Sequence, residues 1–203
     1  MRKESEGVTE ALLKSAENEF LKYGFHDASL RRISAESGVS TNSIYTRFGD
    51  KEGLFTALVQ PAADGLMEIY MSFVSCAYKS DSITDAMDTG NQGTYGVLEY
   101  IYKNFNAFKL IFCCSAGTEY EKYFDKLAGI EEMYYKTFVK QYAKPDAELS
   151  DFFIHVICTS GWQYIYEIIS HELSFETAKT VMDNVEQFRY AGWKAVLGID
   201  FLQ

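Results

Sequence analysis

"SGVSTNSIYTRFGDKEGLF", residues 37–55, is the stretch on which the fold turns. Its middle predicts an eight-residue helix, Thr41 to Phe48, with Ile44 and Phe48 on one side. The other side carries hydroxyls, an amide, a tyrosine and Arg47. Isolated helices shorter than about 12–15 residues are marginal in water, so neighbouring segments must hold this one in place. Its polar side is then presented to something.

The neighbours follow from the same logic. Val8, Leu12, Ala16, Phe20 and Tyr23 recur at spacings of three or four, and Gly24 stands where a left-handed C-terminal cap is wanted, so a first helix runs to about Tyr23. Ser29 is placed to cap a second helix, Leu30 to Ser37, with Leu30 and Ile33 inward, and Gly38 lets the chain turn sharply. Ser40 caps the third helix, with Val39 filling the turn, and Asp50 caps a fourth that starts at Lys51. Helix, short glycine turn and helix make the helix-turn-helix pattern, whose second helix enters the DNA major groove while the first crosses the backbone.

Short polar side chains suit that task. Asn42 can pair bidentately with adenine, Thr41 and Ser43 can donate or accept at several bases, and a thymine methyl can pack on Thr41. Arg47, one turn on, can take guanine or a phosphate, while Ser29, Arg31, Tyr45 and Lys51 are placed to hold phosphates. Each position has a plainer explanation beside it. Ser29, Ser40 and Asp50 suit N-caps in any helical protein, Ile44 and Phe48 are core whatever the function, and Tyr45 can pack at a domain rim.

Composition agrees with a globular chain: 203 residues, 47% of them hydrophobic. The net charge of −10 looks wrong for a nucleic-acid binder until it is divided. Residues 1–51 hold eight basic and eight acidic residues, while residues 52–203 hold eleven and twenty-one. The whole imbalance falls in the second part, which permits DNA binding at the N-terminal end. The N-terminus is charged from its second residue, and the longest uncharged run, Phe152 to Tyr166, contains His, Gln, Ser and Thr, short of the ~20 apolar residues of a membrane span. The chain reads as soluble and cytoplasmic, with no membrane partner. Cys76, Cys113, Cys114 and Cys158 lack a CxxC spacing and read as reduced, buried thiols.

Residues 16–59 carry a longer likeness. Phe20, Gly24 and Phe25 close the first helix; Ser29 to Ile33 read Ser-Leu-Arg-x-Ile; Gly38 to Ser40 read Gly-Val-Ser; Ile44, Tyr45 and Phe48 precede Asp50 to Phe55, Asp-Lys-Glu-x-Leu-Phe. Together these pieces resemble the N-terminal DNA-binding domain of the TetR family of transcriptional repressors. By that resemblance Ser29, Arg31, Thr41, Asn42, Ser43, Tyr45, Arg47 and Lys51 occupy DNA-contacting positions. It further implies an all-α chain: a DNA-binding domain over residues 1–51, then a helical domain over residues 52–203 that pairs two subunits through its last two helices and binds a small effector.

The second part must be read from its own residues. Residues 79–93, "KSDSITDAMDTGNQG", read as a loop or broken helix; Tyr95 to Phe112 is apolar at helical spacing; Tyr123, Leu127, Ile130, Tyr134 and Phe138 form one stripe ended by Pro145. Pro61 removes a helix hydrogen bond and predicts a kink or break near Gln60. Between Asp151 and His171 apolar residues cover almost every face, and Ala178, Val181, Met182, Val185, Phe188, Gly192 and Val196 give the final helix a matching stripe. A helix apolar all round needs burial all round, for which a second copy across a two-fold axis is the commonest solution.

Twenty-seven of the 32 aromatic residues follow Lys51, and Tyr100, Phe105, Phe108, Phe112, Tyr134, Trp162 and Tyr166 are candidates for an effector pocket, with ordinary core packing as the alternative. Acidic residues beside aromatics (Glu99, Glu119, Glu167) favour a hydrophobic cation over an anion. His155 and His171 lack metal-ligand spacing, and "GNQGTYG", residues 90–96, follows no strand and so makes a poor phosphate cradle. No metal site, cofactor or catalytic constellation is expected, and the chain is read as no enzyme. The expected function is a ligand-released dimeric repressor on an inverted-repeat operator. The alternative is a DNA-binding dimer controlled by a protein partner or by oxidation of Cys113 and Cys114.

Overall fold

The computed structural model describes residues 2–145 and 147–198, with side chains from residue 7 onward. Among these, the chain is helical throughout, with nine α-helices and a short 3-10 turn and no strand. The order is α1 (Arg2–Asp27), α2 (Leu30–Ser37), α3 (Thr41–Phe48), α4 (Lys51–Ala77), α5 (Ile83–Lys103), α6 (Phe105–Cys113), the 3-10 turn (Glu119–Lys122), α7 (Tyr123–Tyr142), α8 (Asp151–Ser170) and α9 (Phe175–Leu197). None is long and apolar enough to cross a membrane.

The chain packs as two compact units, Met1–Gly65 with Asn104–Tyr123, and Leu66–Lys103 with Phe124–Gln203. The first unit is built on Phe20, Ile33, Ile44, Leu54 and Phe55, all fully buried. Gly24 interrupts α1 at φ 72°, ψ 168°, where the sequence placed its end, and one further turn runs on to Asp27. There Phe25 stacks on Phe20 and meets the edge of Phe55, while its N–H donates to the carbonyl of Cys114 at 2.8 Å. Tyr123 adds a second tie through its hydroxyl to the carbonyl of Ala63 at 2.7 Å. Gly53 sits so close to the end of α3 that a Cβ there would lie 1.9 Å from the Phe48 carbonyl oxygen, so the α3–α4 corner is closed to any side chain.

The second unit holds the aromatic core: Ala86, Phe138, Trp193 and Leu197, with Tyr134, Tyr135, Tyr142 and Phe153 against them. Tyr135 and Trp193 stack with ring centroids 4.7 Å apart and planes 4° from parallel. Two expectations are met only in part. Of the stretch expected as a loop or broken helix, residues 79–82 are a loop and residues 83–93 are helix. The glycines there serve packing: a Cβ at Gly93 would lie 3.1 Å from Phe73 and one at Gly96 2.8 Å, so their absence of side chains seats that ring. Of the kink or break expected near Gln60, the break does not occur, because α4 runs as one helix from Lys51 to Ala77 with Pro61 inside it. Pro61 is on the exposed side, and Val59, Ala62, Ala63 and Leu66 are buried, so packing of the adjacent turns offsets the lost hydrogen bond.

Candidate nucleic-acid interface and effector cavity

In the first unit, α3 is anchored from behind by Ile44 and Ile33, both fully buried, and started by Ser40, whose hydroxyl accepts the Ser43 N–H at 3.3 Å. The turn before it depends on Gly38 at φ 68°, a left-handed conformation that favours glycine. The orientation of α2 is set by Glu19, only 5% exposed, which accepts from the Ser29 N–H at 2.8 Å and from Arg32 Nε at 2.7 Å. Arg32 also lies over the ring of Tyr23, 4.3 Å from its centroid. Neither Glu19 nor Arg32 was singled out from sequence; their signal is a carboxylate on the apolar side of α1 and a second arginine beside Arg31.

This scaffold turns Asn42, Tyr45, Thr46 and Arg47 outward, with Tyr45 55% exposed, while Thr41 and Ser43 are half-buried at the start of the helix. Thr46, which the sequence reading passed over, donates its hydroxyl to the Asn42 carbonyl at 2.8 Å. Arg47 Nη1 donates to the Thr9 hydroxyl at 3.1 Å, so the guanidinium is steered by α1. Arg31 is exposed and Ser29 half-buried; the Ser29 hydroxyl makes no cap, contrary to the expectation, and it is the Ser29 N–H, donating to Glu19, that fixes the start of α2. Asp50 does cap α4, accepting the Gly53 N–H at 2.7 Å. Lys51 has a different engagement from the one expected. Its Nζ donates to the carbonyls of Phe25, His26 and Ala28 at 2.7, 3.0 and 3.3 Å, meeting the open end of α1, and it lies 4.6 Å from the centroid of the Phe25 ring. An ammonium has three N–H donors, and those three bonds match that number.

The second unit contains a cavity of about 150 Å³. Its walls include Tyr70, Phe73, Tyr134, Tyr135, Phe138, Trp162 and Trp193, and its charged lining is Glu131, Glu186 and Arg189. Tyr134 and Trp162 are thus at the cavity. Phe105, Phe108 and Phe112 belong to α6 in the other unit, where Phe108 is fully buried, and Tyr100 and Tyr166 are not among the lining residues. Glu99, Glu119 and Glu167 are exposed and line no part of it. The residues missed had a readable signal. Glu131 is three and four residues from Tyr134 and Tyr135, and Arg189 is four from Val185 and Trp193, so each charge sits within an apolar helix face and demands a partner.

They find each other. Arg189 Nη2 donates to Glu131 Oε1 at 2.8 Å and to the Tyr135 hydroxyl at 3.3 Å. Burial works against the Arg189 charge, but Tyr135 and Glu131 outweigh it and the guanidinium stays protonated. Burial pushes the Tyr135 hydroxyl up to about 12 and raises that of Tyr70 well above its ordinary value. Glu186 is raised as well, chiefly by burial, despite Tyr95 and Thr94 beside it. Tyr95 donates its hydroxyl to Asp183. Three buried side-chain atoms have no protein partner among the described residues: Tyr70 OH, Trp162 Nε1 and Glu186 Oε1, all on cavity-lining residues. Among the described residues no group of three or more His, Cys, Asp or Glu side chains is arranged to hold a metal ion. His155 and His171 pair instead with Glu132 and Glu167.

A short helix held behind a glycine turn in an all-helical chain is the arrangement that helix-turn-helix DNA-binding regulators use. Residues 12–58 match the family model described as "Bacterial regulatory proteins, tetR family". That match makes residues 12–58 similar to the DNA-binding domain of the family. Among curated proteins, it is 36% identical over 58 residues to the HTH-type transcriptional repressor AcnR of Corynebacterium glutamicum, a match that covers 29% of this chain and 31% of that protein. It is 44% identical over 48 residues to the HTH-type transcriptional regulator YdgC of Bacillus subtilis, covering 24% of this chain and 25% of that one. The matched stretch therefore spans less than half the length of these relatives. Solved structures extend the likeness of fold to the rest. A TetR-family regulator from Syntrophomonas wolfei shares 14% identity with a TM-score of 0.61, covering 100% of both chains. NalD of Pseudomonas aeruginosa, described as the secondary repressor of the MexAB-OprM multidrug efflux pump, shares 13% identity with a TM-score of 0.60, covering 90% of this chain and 95% of that one.

Proposed function

We propose that the chain is a transcriptional repressor that binds an inverted-repeat operator as a dimer and is released by a small molecule held in the cavity of the second unit. The observation that carries the DNA-binding half is the exposure of Asn42, Tyr45 and Arg47 around the outward half of a short helix locked from behind by Ile33 and Ile44. Thr41, Asn42 and Ser43 meet base edges near the helix start, Arg47 takes a base or a phosphate, and Ser29, Arg31 and Tyr45 hold the backbone. In this reading Lys51 serves from behind by fixing the end of α1. Relatives described as repressors support the sense of regulation. Phe152 and Phe188, 74% and 72% exposed on α8 and α9, support pairing through those helices.

Release by ligand requires that the ligand bind the non-DNA conformation more tightly; a 100-fold difference amounts to about 2.7 kcal/mol. Cys76 and Cys113 are exposed where burial was expected, but oxidation of the Cys113 and Cys114 pair has less support, because Cys114 is buried and burial raises its thiol, keeping the nucleophilic thiolate scarce. Footprinting on the DNA upstream of the chain's own gene and its neighbours tests the reading. Protection of two inverted half-sites one helical turn (~34–36 Å) or a multiple apart is expected. Uniform coverage of unrelated DNA refutes it, and loss of binding on diamide treatment with no small-molecule response transfers the switch to the cysteines.

A further inference from the structure

The walls and the unpartnered atoms of the cavity narrow what it can hold. An apolar cavity of about 150 Å³ accommodates a single benzene-sized ring, which matches the volume here. Trp162 is only 4% exposed, and its indole N–H, a donor with no acceptor capacity, has no protein acceptor among the described residues. Its ring meets Tyr70 edge-on with centroids 5.3 Å apart, and the Tyr70 hydroxyl is unpartnered too. Each is a donor that a ligand oxygen can satisfy. Glu186 presents the opposite need, a buried carboxyl oxygen with no donor. An unmet buried donor or acceptor is a standing free-energy penalty that a complementary ligand removes on binding.

Charge decides the sign of the ligand. Arg189 is already matched by Glu131 at 2.8 Å, so an anion must displace that carboxylate before it meets a cation of the protein. A cation displaces nothing. It finds Glu186 Oε1 without a donor, although Tyr95 and Thr94 hydrogen-bond the carboxyl, and aromatic side chains in the walls, both of which attract positive charge.

Resting on the reading of this cavity as the effector site, we infer that it takes a small arylalkylamine bearing an acceptor oxygen, with the ammonium on Glu186 and the oxygen at the Trp162 N–H. Glu131 and Arg189 then remain a closed pair that supplies polarity without a vacant charge, and Tyr134, Phe138 and Trp193 enclose the ring.

Calorimetric titration of the full chain with benzylamine, benzyl alcohol and benzoate, three probes of one shape and different charge, tests the inference. Benzylamine should bind tighter than the alcohol, and benzoate weakest. Glu186→Gln, which keeps the shape of the side chain, should cost benzylamine about tenfold to a hundredfold and leave the alcohol unchanged. Adding a methoxy oxygen to the amine should tighten binding, and Trp162→Phe should abolish that gain while treating both amines alike in every other respect. Benzoate or the alcohol binding as well as the amine, indifference to Glu186→Gln, or no binding of any probe overturns the inference. An amine that binds as described and leaves the operator complex intact instead refutes ligand release, with the ligand class standing.

Discussion

Lys51 shows how a single side chain can have two roles assigned by two kinds of reasoning. Its position at the start of α4 marks it as a phosphate contact, while its three bonds to the carbonyls of Phe25, His26 and Ala28 make it the clasp of α1. The two roles separate experimentally. Lys51→Ala should destabilise the folded chain by about 1.5–3 kcal/mol in urea, the range for hydrogen bonds made by a charged group, and change the salt slope of DNA binding little. A variant of unchanged urea midpoint whose salt slope flattens by about one unit returns Lys51 to the phosphates. Asn42→Ala should behave oppositely: no loss of stability, about 1–3 kcal/mol lost on the specific site, and an altered base preference in a binding selection. Equal losses on specific and random DNA would remove Asn42 from the reading set.

At the scale of elements, α4 and α5 both defy local rules for the same reason. Helix α5 contains Gly90, Gly93 and Gly96, which depress helix propensity by about 1 kcal/mol each, yet the Phe73 ring occupies the space that side chains at two of them would need. Helix α4 contains Pro61 at a cost on the order of 3 kcal/mol and stays continuous because buried residues flank it on both sides. Since Pro61 is exposed, Pro61→Ala restores the missing N–H without disturbing the core. The urea midpoint should rise, with a gain of about 1–2 kcal/mol after the unfolded chain regains the freedom that proline denied it. A lower midpoint would mean that the proline conformation itself is required by the packing of this helix.

For the molecule as a whole, the features that a single chain leaves unsatisfied are as informative as those it satisfies. Helix α8 buries Ile154, Cys158, Trp162, Ile165, Ile168 and Ile169 on one side, and leaves Phe152 and Val156 exposed on another; α9 leaves Phe188 and Tyr190 exposed. Replacing both Phe152 and Phe188 by Ser should therefore convert a dimer to a monomer in sedimentation velocity while the helical circular dichroism is retained. Operator binding should weaken with it, because one recognition helix is no longer tethered to the second. A double variant that still sediments as a dimer would place the interface on other faces.

The amino-acid sequence alone determined what repeats along one strand of chain: the helical periodicity, the caps at Ser40 and Asp50, the turn at Gly38 and the motif over residues 16–59 that places Asn42, Tyr45 and Arg47 on one polar face. These are legible because a cap or a helix face depends on residues within one turn of each other. The cavity was not legible in this way. Its lining comes from α4, α5, α7, α8 and α9, and two of the seven aromatics named from sequence, Tyr134 and Trp162, reach it, because an aromatic residue at an apolar helical position looks the same whether it faces a void or a neighbour. Only the tertiary structure brought Glu131 to Arg189 across 58 residues and Tyr95 to Asp183 across 88, while leaving Glu186 and Trp162 each with a buried polar atom unmet. Such pairings are decided by which helix faces pack together, and the periodicity of one helix carries no information about the register of another.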